Sequence, residues 1–118
     1  MFMPTEQDKN LFLQAQTYQQ QMQGILMQKE ALNLQLAELK HALDELEKSS
    51  EADVYKIAGT VIVKAPKADV KKELADKKES LEAMVKTLEA NEKKLKGKIT
   101  DLKDRFSKEE GGKAKPEE

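Results

Sequence analysis

A chain of 118 residues, 36% of them charged and only 4% aromatic, has room for one domain and too few large apolar side chains for a compact core. Its formal net charge of −1 gives no electrostatic case for binding nucleic acid. The absence of cysteine removes disulfide and thiolate chemistry and suits a reducing compartment.

What remains is the Ala/Glu/Lys/Leu-rich composition of long helices. The N-terminal MFMPTEQD has no basic start followed by a long apolar stretch, so it does not read as a signal peptide. No uncharged apolar run reaches membrane-spanning length, and the expectation is a cytoplasmic protein with no membrane contact. Met1, Phe2 and Met3 are apolar for a chain end. They fit either a frayed end or a contact surface. Thr5 is placed to cap a helix, with Glu6 and Asp8 in the first turn facing the positive end of its dipole.

From Leu11 the spacing alternates four and three through Ala15, Tyr18, Met22, Ile25, Lys29, Leu32, Leu36, Leu39, Leu43 and Leu46. Only Lys29 breaks the apolar series. This is a heptad seam with Ala15 at a and Leu11 at d. A helix over residues 5–48 would be roughly 65 Å long at 1.5 Å per residue, and it cannot bury its stripe alone.

Ser49 to Asp53 form a polar connector. Residues 54–64, VYKIAGTVIVK, are short, β-branched and interrupted by Gly59. Gly59 supplies the positive φ that a tight hairpin turn needs. A two-stranded hairpin is marginal alone, and both its edges present unpaired N–H and C=O groups. It implies partner strands from other chains. Pro66 then falls where a first helical turn would open, with Asp69 supporting the start. A second seam runs through Leu74, Lys78, Leu81, Val85, Leu88, Glu92, Leu95, Ile99, Leu102 and Phe106. The second helix is expected over residues 66–107. Gly111-Gly112 would stop it and leave residues 108–118 as a polar, disordered tail.

Two seams of similar length around a chain reversal pair most economically as an intramolecular antiparallel coiled coil. In it a layers face d layers. Two registers satisfy that rule, one setting Ala15 against Leu102 and one setting Met22 against Leu102. In either, Lys29 and Glu92 fall in adjacent layers, where they pair with each other or snorkel to water. Gly24 and Gly97 fall near one height, as a soft joint or as two tolerated glycines. Each costs its helix about 1 kcal/mol relative to alanine.

Catalysis has little foothold, and the chain reads as no enzyme. His41, the only histidine, sits at heptad position f, facing solvent. No set of zinc ligands is available, phosphate-binding glycine motifs are absent, and no cofactor is expected. The informative stretch is the start of the first helix. Residues 10–28 carry no charge and are dominated by glutamine, with Phe12, Leu13, Leu26 and Met27 off the seam. A neutral surface with scattered apolar and methionine side chains suits weak contact with many apolar partners. A neutral face packed on one further helix is the plainer reading.

TYQQQMQGILMQKEAL at residues 17–32 and DVYKIAGTVIVKAPKADVKKEL at residues 53–74 resemble prefoldin, specifically a β-class subunit of archaeal type. The resemblance covers nearly the whole chain as one prefoldin-like domain, and the TYQQQ segment with the VYK–x–x–G–T–x–IVK hairpin is more specific to it than the heptads. It implies a mainly α fold: a long antiparallel two-helix coiled coil joined by a single β-hairpin that oligomerises into a β-barrel platform. The assembly it implies is a hetero-hexamer with an α-class prefoldin subunit and further β-class copies. The function it implies is that of an ATP-independent holdase. Such a chaperone captures non-native polypeptides at the coiled-coil tips and passes them to a group II chaperonin. Carried over by position, Tyr55, Ile57, Val61, Ile62 and Val63 would be assembly residues. Phe2, Leu11, Phe12, Leu13 and Phe106 would be client contacts. The rival reading is a structural spacer whose hairpins polymerise and whose rods bind no client.

Overall fold

The first helix begins on a reciprocal cap. The Thr5 hydroxyl accepts the Asp8 backbone N–H at 3.1 Å, and the Asp8 carboxylate accepts the Thr5 N–H at 3.1 Å. Two donors with no helical partner are thereby satisfied at once. Asp8 is nearly buried by this contact, so it does more than face the helix dipole. Thr5→Ala should cost about 1 kcal/mol, read as a lower urea midpoint with an unchanged slope.

In the computed structural model, which describes residues 5–109 and side chains to residue 107, the cap opens α1 (Glu6–Lys48). β1 (Asp53–Ala58), β2 (Val61–Pro66) and α2 (Lys67–Glu109) follow. The first four residues and the expected tail from residue 110 lie outside the described residues. Two compact units result. One contains α1 up to Gln28 with α2 from Leu88, and the other runs Lys29–Thr87.

In the first unit the buried apolar residues are Leu11, Leu95 and Leu102; in the second they are Leu36, Val70 and Leu81. Five of these six are seam positions, and the remaining apolar seam residues are half-buried, apart from Phe106. A seam sandwiched between only two helices stays partly wet, and no described side chain is fully buried. Val70, off the seam, is buried in the turn that follows the hairpin. Ala15 and Leu102 share one notch with Leu11 and Phe106, which selects the Ala15–Leu102 register in the first unit. In the second unit the Lys71 ammonium reaches both Glu47 oxygens at 2.6 and 2.8 Å, which fits the same register. The charged positions of the second seam find partners along their own helix: Lys78 lies 3.6 Å from Glu82, and Glu92 3.4 Å from Lys96. Pairs of this kind contribute about 0.3–0.5 kcal/mol each.

The strands pair antiparallel, from Ala58↔Val61 at the turn to Asp53↔Pro66 at the base. The two-residue loop puts Gly59 at φ +66° with Thr60 outside the positive region. That is the pattern of a type II′ turn, whose twist matches the strands. Pro66 differs from expectation. It ends β2 opposite Asp53, and the helix opens one residue later. Hydrogen-bonded pairs alternate along such a ladder, and the Lys67 N–H bonds to the Ala52 carbonyl at 2.8 Å. Pro66 is therefore an outward-facing position, where a missing donor breaks no ladder bond.

Both helical glycines sit in open space: a Cβ at Gly24 or Gly97 would meet nothing within 4 Å. Each Gly→Ala change should raise stability by about 1 kcal/mol, seen as a higher Tm at matched protein concentration. An unchanged or lower Tm would mean that the glycines serve bending.

Candidate functional site

Two surfaces carry exposed apolar side chains without a covering element among the described residues. The first is the hairpin. Alternation along the strands places Val54, Lys56 and Ala58 with Val61, Val63 and Ala65 on one face. From that face Lys56 reaches Glu73 of α2 at 3.0 Å, and Val54 and Ala65 are half-buried. The other face holds Tyr55, Ile57, Ile62 and Lys64. Ile57 and Ile62 are cross-strand partners, 78% and 68% exposed, with Tyr55 beside them at 71%.

The five expected assembly residues therefore divide. Tyr55, Ile57 and Ile62 form one bare apolar patch, whereas Val61 and Val63 lie on the face from which Lys56 reaches α2. The sheet has two strands, so both outer edges lack a ladder partner within the described residues. By the alternation above, the outward N–H and C=O groups belong to Asp53, Tyr55 and Ile57 on β1. On β2 they belong to Ile62, Lys64 and Pro66, the last as a carbonyl only. The base of the hairpin is tied to the helices by charge. Lys67 donates to the Ser49 carbonyl at 2.7 Å, and the Lys71 ammonium bonded to Glu47 holds that carboxyl below the usual carboxylate range. A lowered folded pKa stabilises at neutral pH and loses that contribution as acid protonates Glu47. The pair is exposed, so the contribution is small.

The second surface is the start of α1 with the facing part of α2. Phe12 and Leu13 are 60% and 58% exposed, and Phe106 is 40% exposed. Leu11 is only 4% exposed. It floors an apolar notch of about 120 Å³ whose walls include Phe12, Leu102 and Phe106. The structure thus brings Leu11, Phe12 and Phe106 together and leaves Leu13 outside the notch. Leu11 supports the patch by packing, while Phe12 and Leu13 supply its accessible area. Phe2 lies outside the described residues.

Beside the notch four glutamines of α1 (Gln16, Gln19, Gln20 and Gln23) with Ile99 and Lys103 of α2 line an open groove of about 560 Å³. Leu26 and Met27, off the seam, are exposed as expected. Leu34 and Met84 are also exposed and were not singled out from sequence. Leu34 stands at position f, where a solvated helix ordinarily carries a polar residue, and that mismatch was the available signal. Among the described residues no cluster of His, Cys, Asp or Glu could hold a metal ion, and no helix is long and apolar enough to cross a membrane.

Residues 9–112 match the family model for a prefoldin subunit. The prefoldin subunit beta of Thermococcus onnurineus is 50% identical over 56 residues, covering 47% of this chain and 48% of the relative. That of Methanocaldococcus jannaschii is 57% identical over 37 residues, covering 31% and 33%. The chain spans about half the length of the curated relatives it matches first. The crystal structure of the prefoldin beta subunit from Thermococcus strain KS-1 superposes with a TM-score of 0.85 at 38% identity. It covers 92% of this chain and 96% of that one.

Proposed function

This chain belongs to the prefoldin family, and from that premise we propose that it is a subunit of an ATP-independent holdase that captures non-native polypeptides. The observation that carries the reading is the bare pair Phe12–Leu13 beside the Leu11–Phe106 notch, in a stretch of α1 with no charged residue. An apolar patch of this kind on a two-helix surface has nothing among the described residues to cover it. The hairpin, which follows the last turn of α1, supplies the assembly function. Its Tyr55–Ile57–Ile62 face and open edges extend into a β-barrel with strands of an α-class subunit and further β-class copies. Clients are then released to a group II chaperonin in the cytoplasm.

The mechanism is multivalency. One patch offers a small apolar area and binds weakly. Several patches held on one platform make each later contact intramolecular, and avidity exceeds single-site affinity by about 10²–10⁴-fold. Weak single contacts still let the client leave. No step requires a nucleotide or a bound metal.

The test is light scattering from a chemically denatured model protein diluted into buffer, with and without the assembled complex and without ATP. Suppression of scattering at stoichiometric complex is expected. Scattering identical to buffer, from a complex of correct native mass, would overturn the holdase reading and leave a spacer.

A further inference from the structure

The first helix carries a second ordered stripe beside its seam. Phe12, Gln16, Gln19, Gln23 and Leu26 follow the four-three spacing, so they align along α1 over about 21 Å. Four of them, all but Phe12, line the open groove of about 560 Å³ together with Gln20, Ile99 and Lys103, a volume in the range of ligand sites. No residue from 10 to 28 is charged, so the α1 side of the groove is neutral, and Lys103 is the charged residue on its α2 side. Neutral amides cost far less to strip of water than ammonium or carboxylate groups.

Each glutamine amide carries both donors and an acceptor, the same pair that a peptide unit presents. An extended strand repeats that pair on one side about every 6.6 Å. The glutamines rise about 4.5 and 6 Å from one to the next, and their long side chains can follow that repeat. A helix docking here would gain nothing from the amides, because its own N–H and C=O groups are already paired. Only an unfolded or extended chain offers unpaired main-chain groups together with apolar side chains.

We propose that this groove binds the main chain of an extended client segment, hydrogen-bonded by Gln16, Gln19 and Gln23, with Leu26 taking an apolar side chain within it and Phe12, one step before Gln16 on the stripe, taking another beyond it. The inference rests on the holdase reading and names what that site recognises: peptide backbone, independent of sequence. It accounts for discrimination against native proteins, whose backbone groups are satisfied internally. It also adjoins the apolar notch, since Lys103 lines both.

The probe is a pair of fluorescent peptides about ten residues long, uncharged and apolar, with identical side chains. One has its amides N-methylated at alternate positions along one edge. Binding of each is measured by anisotropy to the assembled complex and to the triple variant Gln16→Ala/Gln19→Ala/Gln23→Ala. Alanine is the best helix former, so the coiled coil persists, and circular dichroism checks it. The parent should bind the unmethylated peptide about ten- to hundredfold more tightly, and the variant should lose that preference. Equal affinity of the parent for both peptides overturns the inference and leaves the holdase reading standing. Binding of neither also overturns it, and the scattering assay on the same sample then decides whether the holdase reading falls with it.

Discussion

Ile57→Asp combined with Ile62→Asp is expected to reduce the native mass to that of unassembled chains while leaving helical circular dichroism largely intact. The two side chains are cross-strand partners on the bare face of the hairpin. In the monomer they touch little, so aspartate there costs the isolated fold little beyond strand propensity. In an assembly that covers this face, each change forfeits about 1.5–3 kcal/mol of apolar burial. Each also buries a carboxylate without a partner, at a further cost of several kcal/mol. Every 1.4 kcal/mol is about tenfold in affinity, so assembly should weaken by more than about a thousandfold. Val63→Asp should act differently. Val63 shares its face with Lys56, which is paired to Glu73 of α2, so the hairpin's seat on the helices should loosen as well. Sedimentation of the double variant at the parent mass would remove this face from the interface.

The second large effect lies at the start of α1. Phe12→Ser with Leu13→Ser should leave native mass and Tm nearly unchanged, because exposed side chains contribute within about 0.5 kcal/mol to stability. Suppression of client aggregation should be lost. If each patch gives up about 1.4 kcal/mol and three engage one client, affinity falls about a thousandfold. Removing the residues before Thr17 should have the same functional outcome. The point variants are the cleaner test, since that truncation also deletes the Thr5 cap and buried Leu11. Leu11→Ala alone should cost about 2 kcal/mol or more through its cavity, so its phenotype would mix unfolding with lost contact. Undiminished holdase activity in the Phe12/Leu13 variant, at parent mass, would sink the client-contact assignment.

These two outcomes rest on information of different origin. The seam was legible residue by residue, because a heptad repeat is a property of local spacing and survives any tertiary detail. The turn at Gly59 was legible because one positive φ in a short β-branched segment has few alternatives. The cap at Thr5 was legible for the same local reason, although the reciprocal role of Asp8 emerged only from the geometry.

Other features depend on what a residue faces. Leu11, Phe12 and Leu13 are neighbours in sequence and alike in chemistry, yet one is buried and two are bare, because the packing of α2 covers one side of the helix only. Spacing favoured one of the three for the seam but could not say how far the cover reached. Phe106, a seam position by spacing, is left 40% exposed. The hairpin posed the same problem. Both of its faces are β-branched, so alternation alone distinguishes two sets without saying which is covered. The ion pair from Lys56 to Glu73 and the half-burial of Val54 and Ala65 decide it.

The coiled-coil register shows the division most plainly. Sequence narrowed it to two choices one heptad apart, which bury equivalent apolar layers. The notch holding Ala15 with Leu102 and the bond from Lys71 to Glu47 then chose between them. Periodicity within one segment is written in that segment. The partner that covers a face is set by where the chain returns, and in the second unit that return runs through the hairpin and its charged base.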